Sequence, residues 1–397
     1  MPTFEQESLL DEVQRRACLY FLDHADPATG LVRDRARMEG REERHVSSIA
    51  ATGFGLSALC IASERGYIQR DFAMRRVERT LTHLAKSTAH RSGFFPHFLD
   101  MRTGQRIWGC EFSSVDTAWL ICGVLHCREA FESSRIKNLA GELYGRIDWP
   151  WMLNGGATLS HGWTPEAGFL PSRWNEYAEL LAMYLLAIGS REHPIPASSW
   201  DAWERPLGTY EGITYIDPAA PLFVHQYSHA WFDFRGKRDG YADYFQNSKL
   251  ATEAHRLFCM GQDKLFPWYG SDMWGVTASD SRVGYSVWGS PSLTEQPDGT
   301  LVPCASGGSV PFMPYECCLV LQNMLNRYGN NVWGRYGFVD AFNPLTDWYD
   351  PDVVGIDTGI TMLMAENARS GFVWDTFMKN PEAQRGMDSA GFKPYES

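Results

Sequence analysis

Five carboxylates in this chain stand at the head of apolar runs, and paired carboxylates are what acid–base cleavage of a sugar bond requires. Asp116 precedes 117-TAWLICGVLHC-127, Glu176 and Glu179 precede 180-LLAMYLLAIG-189, Glu316 precedes 317-CCLVLQNML-325, and Asp357 precedes 358-TGITMLMA-365. Acids in a first helical turn also serve as caps and complement the macrodipole. Ser113 and Asp116 have the S-x-x-D spacing of a capping box. Glu179 differs, because the pattern places it about a turn inside a helix otherwise made of Trp174, Tyr177, Leu180, Leu181 and Tyr184. A carboxylate there is costly to bury unless partnered. Desolvation raises its pKa, as a general acid needs.

Two further segments carry polar and aromatic side chains suited to a sugar. The stretch 225-HQYSHAWFDFRGKRDGYADYFQNS-248 holds His225, His229, Asp233 and Arg235 among aromatics. The His pair has i, i+4 metal spacing, but no H-E-x-x-H is present and no third ligand is spaced nearby. The competing readings are an Asp233–Arg235 ion pair bracing a loop and polar contacts to sugar hydroxyls. The Gly- and Ser-rich segment 268–289 carries Trp268, Trp274, Tyr285 and Trp288, either as a binding surface or as rings tucked onto the body. No G-x-S-x-G elbow, Walker A loop or strand-linked G-x-G-x-x-G is found. Paired carboxylates in a Trp-rich cleft remain.

The elements that must position these groups are helical. Apolar spacing predicts helices near 6–24, 47–64, 69–87, 113–132, 174–189, 246–262, 310–327 and 357–368. Segments 6–24 and 69–87 are amphipathic. The runs at 117–127, 180–189, 317–325 and 358–365 are apolar all round and must be buried on every side. Alternation of the two kinds predicts an inner ring of helices within an outer ring, an all-α (α/α)6 barrel with long functional loops, the runner-up being an irregular all-α fold. Inner helices of such a toroid run parallel, so their N-terminal acids meet at one end. Without linker or charge run, 1–397 reads as a single domain.

Composition narrows the partners. Of 397 residues, 14% are aromatic, and the net charge is −12. With no basic excess to neutralise phosphates, a nucleic-acid or anionic-membrane partner is not expected. No 18-residue apolar stretch predicts a membrane span. The nine cysteines show neither zinc spacing nor a disulfide framework, so neither metal nor cofactor is expected. The start lacks a basic-then-apolar signal, which predicts a cytoplasmic location, or a periplasmic or secreted one had a leader been removed. Nothing predicts the oligomeric state.

The whole set of stretches resembles the bacterial glycoamylase-like proteins, including the endo-β-1,2-glucanases of glycoside hydrolase family 144 and β-1,2-glucan transglycosylase domains. The resemblance is carried by 17-ACLYFLDHADPATGLVRDR-35, 48-SIAATGFGLSALCIASERGYI-68, 113-SSVDTAWLICGVL-125 and 179-ELLAMYLLAIGSREHPIP-196. It continues through 225–248, 274-WGVTASD-280, 334-GRYGFVDAFNP-344 and 355-GIDTGITMLMAENARSG-371. It implies the (α/α)6 barrel and an anomer-inverting hydrolase of β-linked glucans, most of all β-1,2-glucan or sophoro-oligosaccharides. A transglycosylase or a non-catalytic carbohydrate-binding barrel are the alternatives. The implied general acid is Glu179, counting back without a gap from Tyr184 and Gly189; Glu176, of the W-N-E motif, competes. The implied base is Asp357, with Asp116 second and Glu111 near it.

Overall fold

A computed structural model describes residues 4–395; residues 1–3 and 396–397 of the 1–397 domain reading lie outside the described residues. In chain order the helices are α1 (Phe4–Asp23), α2 (Ile49–Glu64), α3 (Arg70–Lys86), α4 (Ser114–Ala130), α5 (Ser134–Gly145), α6 (Trp149–Leu153), α7 (Leu181–Gly189), α8 (Tyr244–Met260), α9 (Pro303–Gly307), α10 (Pro314–Tyr328), α11 (Gly355–Arg369), α12 (Phe372–Phe377) and α13 (Pro381–Ser389).

The helices form two concentric rings. Helix α2 is buried from Ile49 to Ala62, α4 along almost the whole of 114–127, and α7 throughout. They follow one another side by side, and the largely buried 3₁₀ turns at 222–225 and 227–230 come next, touching α7. Gln226 Nε2 of those turns donates to the Ala305 carbonyl of α9 at 2.9 Å. Helix α9 packs on α11, and α11 packs back on α2, so six members close the inner ring. Outside it, α3 backs α2, α5 backs α4, α13 backs α7, α8 backs the 3₁₀ turns, α10 backs α9, and α1 backs α11. This is the (α/α)6 barrel.

Small residues set how closely the inner helices pack. A Cβ on Gly53 of α2 would lie 2.3 Å from the Trp119 carbonyl oxygen, and one on Gly123 of α4 would lie 2.1 Å from the Gly53 carbonyl. Backbone meets backbone there, which no larger residue permits. Gly189 of α7 and Gly386 of α13 make the same close approach between inner and outer rings.

The short strands have a specific place. Val46–Ser48 leads directly into α2, Phe112–Ser113 into α4, and Asp352–Val354 into α11. Ser48 Oγ accepts from the Ala51 amide and Ser113 Oγ from the Asp116 amide, both at 3.2 Å, so the turns into α2 and α4 are capped by serine, whereas Val354 ahead of α11 offers no side-chain acceptor. Arg35–Arg37 pairs antiparallel with Asp352–Val354, and Ser279–Ser281 forms a hairpin with Gly284–Ser286.

Two expected elements differ. Helix α7 starts at Leu181 rather than 174; residues 171–180 are turns and isolated bridges, with Tyr177 N bonded to the Glu204 carbonyl at 2.8 Å. The 317–325 run belongs to an outer helix, α10, whose Tyr315 and Gln322 face solvent, so Glu316 does not head an inner helix. Its inner place is taken by the short α9. No helix among the described residues is long and apolar enough to cross a membrane.

Candidate active site

A cavity of about 380 Å³ opens at the end of the barrel where the inner helices begin. Three carboxylates reach it from three inner elements: Asp116 in the first turn of α4, Asp357 in the first turn of α11, and Glu179 two residues ahead of α7. Asp34 and Arg35 complete its charged wall, with His97. Phe98, Trp119, Phe223, Tyr227 and Tyr285 supply the aromatic wall. A cavity with large apolar faces and a few convergent polar groups is what an oligosaccharide site needs.

The carboxylates differ in their surroundings. Glu179 is partly buried on the wall; Leu180 at the N-cap offers no side-chain acceptor, and Ser228 Oγ accepts from the Ala182 amide of the first turn of α7 at 3.0 Å instead. Desolvation raises its pKa to about 7, with the Asp116 charge adding to the effect. Asp116 is held differently. Ser113 Oγ lies 2.5 Å from Asp116 Oδ2, and His97 Nε2 lies 3.7 Å from Oδ1. His97 is itself fixed by Glu111, whose Oε1 meets Nδ1 at 3.0 Å, and its ring stacks on Phe98 at 3.9 Å. Burial opposes a charge on His97, but Asp116 and Glu111 outweigh it and bring its pKa to about 9. The same contact holds Glu111 below the ordinary carboxylate range although burial opposes it. The trio is thus an ion-pair network with an imidazolium at its centre.

Asp357 is buried, and Tyr227 donates its hydroxyl to Oδ1 at 3.1 Å. Behind it lies Asp340, also buried and hydrogen-bonded to it. Burial raises both pKa values, and the Asp357 charge raises that of Asp340 further. One proton held between the two is the consequence, since adjacent buried carboxylates do not both ionise. Arg35 donates to Asp34 at 3.0 Å and to Asp280 at 2.5 Å, tying the cavity floor to the 279–286 hairpin.

Of the residues singled out in sequence, Glu179, Asp357, Asp116 and Tyr285 line the cavity, and Glu111 stands behind His97. The others lie elsewhere. Glu176 is exposed, its backbone bridged to Glu204. Trp174 is buried, donates Nε1 to Ser114 Oγ at 2.9 Å and stacks on His161. Tyr177 is a core residue with its ring against His225. His225 and His229 are neutral core imidazoles, their pKa values pushed down to about 4 and about 3 by burial. His229 bonds Ser248 Oγ at 3.0 Å. Asp233 and Arg235 pair at 2.8 Å, with the guanidinium over the Trp374 ring, which is the bracing arrangement. Trp268 donates to the Gly299 carbonyl at 2.9 Å, and Trp274 is fully buried.

Sequence reading missed His97, Arg35, Asp340, Trp119 and Tyr227. Trp119 was within reach, because it stands three residues after Asp116 and shares its helix face. His97 and Asp340 sit in irregular segments where no periodicity points to them.

Residues 171–381, just over half of the chain, match the glycoamylase family model, described as "Putative glucoamylase". The chain belongs to the glycoamylase family. The exo beta-1,2-glucooligosaccharide sophorohydrolase (non-reducing end) of Parabacteroides distasonis is 27% identical over 96% of this chain, which spans 57% of that relative's length. The endo-beta-1,2-glucanase of Chitinophaga pinensis, solved with sophorotriose and glucose, superposes with a TM-score of 0.90 at 30% identity, covering 98% of this chain and 99% of that one. The beta-1,2-glucanase of Parabacteroides distasonis gives 0.90 at 25% identity, covering 98% and 60%. In this glycoamylase-family chain the matched segment contains Glu179, Asp340 and Asp357. The His97–Glu111–Asp116 network is contributed from upstream of it.

Proposed function

We propose that this chain is a glycoside hydrolase that cleaves β-1,2-linked gluco-oligosaccharides with inversion of the anomeric carbon. The observation that carries the proposal is Glu179, a carboxyl with a pKa of about 7 on the wall of a cavity whose other acids are anchored differently. Such a group is protonated for a useful fraction of molecules near neutrality and donates its proton to the departing glycosidic oxygen. As the C–O bond breaks, a water oxygen attacks the anomeric carbon from the opposite face and loses its proton to Asp357, directly or through a substrate hydroxyl. Tyr227 and Asp340 hold Asp357 in place for this step. Asp116 suits the base role less well, because Ser113 and the His97 imidazolium already occupy its oxygens. The substrate class is supported by the β-1,2-glucan activities named for the relatives. A main apolar cluster that runs from Leu9 to Phe392 supports reading the chain as one catalytic barrel.

The test is incubation with a panel of linkage-defined gluco-oligosaccharides, with proton NMR of the first product formed. Hydrolysis of the β-1,2 series with release of the α-anomer is expected. A β-anomer would overturn inversion, longer products would mark a transglycosylase, and binding without turnover would mark a carbohydrate-binding barrel.

A further inference from the structure

Asp280, Asp340 and Asp350 come from three separate segments and place carboxylate oxygens within 4.8 Å of one another. Asp280 belongs to the 279–286 hairpin, Asp340 follows the strand Gly337–Phe338, and Asp350 precedes Asp352–Val354. Asp340 and Asp350 are 4% and 5% exposed. One oxygen of each is accounted for: Asp340 Oδ2 accepts from the Asp280 amide and Asp350 Oδ1 from the Asp352 amide, both at 2.9 Å. Among the described residues, no N–H and no Ser, Thr or Tyr hydroxyl donates to the other two, Asp340 Oδ1 and Asp350 Oδ2, which are shut off from bulk water. The guanidinium that reaches the group, Arg35, bonds Asp280 Oδ2 and is shared with Asp34.

With one proton shared between Asp340 and Asp357, Asp280 and Asp350 still face a single guanidinium that Asp34 also claims, and the oxygens left without donors lie in a desolvated place that a cation would satisfy. The spacing fits one. Ca²⁺ takes about 6–8 oxygen ligands at roughly 2.3–2.6 Å in flexible geometry, so it spans oxygens up to about 5 Å apart. Mg²⁺ asks for near-ideal octahedral geometry at about 2.0–2.1 Å, which three side chains from independent segments do not impose.

We propose that Asp280, Asp340 and Asp350 form a binding site for one divalent cation of calcium type, lodged behind the catalytic cavity. The cation would join the hairpin that carries Tyr285 to the strand that feeds α11, so its effect falls on stability and on the order of the cavity rim. Sequence spacing gives no sign of such a site, because its ligands are spread over 70 positions.

The full-length protein, stripped with EDTA and exchanged into buffer, is titrated with CaCl₂ by calorimetry, and its thermal midpoint is read in EDTA, CaCl₂ and MgCl₂. One site is expected, with the midpoint rising by about 3 °C at a hundredfold excess of Ca²⁺ over its Kd and by less with Mg²⁺. Asp350→Asn and Asp280→Asn, which keep side-chain size, should lose the rise. A wild-type protein showing neither heat nor a shift at 10 mM CaCl₂ overturns the proposal, and that result needs no variant to fold. A rise that survives in Asp350→Asn places the cation elsewhere and overturns it too. The readout is binding, so it is independent of the proposed sugar chemistry.

Discussion

Replacing Glu179 by Gln should separate activity from stability in opposite directions. Folding moves this carboxyl from an ordinary pKa of 4.5 to about 7. At roughly 1.4 kcal/mol per pKa unit, the full difference is about 3 kcal/mol. Part of the side chain faces cavity water, which lowers it to about 2 kcal/mol. The sign follows from linkage: the folded protein holds this proton more tightly than the unfolded chain. The favourable contribution is therefore complete below pH 4.5 and is lost as pH rises through about 7. Gln carries no ionisable proton, so Glu179→Gln should match the wild type near pH 4 and exceed it by about 2 kcal/mol at pH 8. For a chain of 397 residues, with an unfolding entropy of about 2 cal/mol/K per residue, this is a midpoint rise of about 2–3 °C. Activity should fall at least 10²–10⁴-fold over the same range, the usual worth of a general acid, while binding of the sugar persists. In the wild type, kcat/KM should decline above about pH 7 as the acid loses its proton. The assays are thermal unfolding of both proteins from pH 4 to 9 and reducing-sugar release by the wild type over the same range. A stability difference that does not change with pH would show that Glu179 is not desolvated as described. Retention of full activity by the Gln variant would show that another group donates the proton.

Three other outcomes follow from the structure. His97→Gln removes the cation between Glu111 and Asp116; since folding raises the His97 pKa to about 9, the stability it contributes is complete below pH 6.5 and lost as pH rises through about 9, so the variant's midpoint should trail the wild type at pH 6 and approach it near pH 10. Gly53→Ala drives a methyl against the Trp119 carbonyl and should cost about 1–3 kcal/mol or more in urea unfolding; a neutral result would mean that α2 and α4 do not cross backbone to backbone. Glu176→Gln alters an exposed residue outside the cavity and should change kcat/KM by less than about twofold; an inactive Glu176→Gln protein would transfer the acid's role to the W-N-E glutamate.

The sequence determined the layers. Runs such as 117–127 and 358–365, with no charge on any side, have nowhere stable to lie except between other elements, and α4 and α11 are buried accordingly. Amphipathic α1 and α3 could cover them only from outside. Parallel inner helices with acids at their starts then brought Asp116, Glu179 and Asp357 to one end, a consequence of geometry that needed no coordinates. Where periodicity was the wrong guide, it failed for physical reasons. Trp174 and Tyr177 continue an apolar pattern but lie in turns, because hydrogen bonds to Glu204 and Ser114 satisfy that segment better than a further helical turn. The apolar run of α10 covers one side of a surface helix. Which aromatic and polar side chains face the cavity was decided by the tertiary structure alone. His225, His229 and Trp274 have the residue types of a sugar site but point into the core, whereas His97 and Asp340 reach the cavity region from irregular segments and Arg35 from a three-residue strand. Protonation was decided there too. A sequence shows a glutamate, but its pKa depends on desolvation and on neighbours brought in from 60 or more residues away, such as Asp116 beside Glu179, and those exist only once the ring has closed.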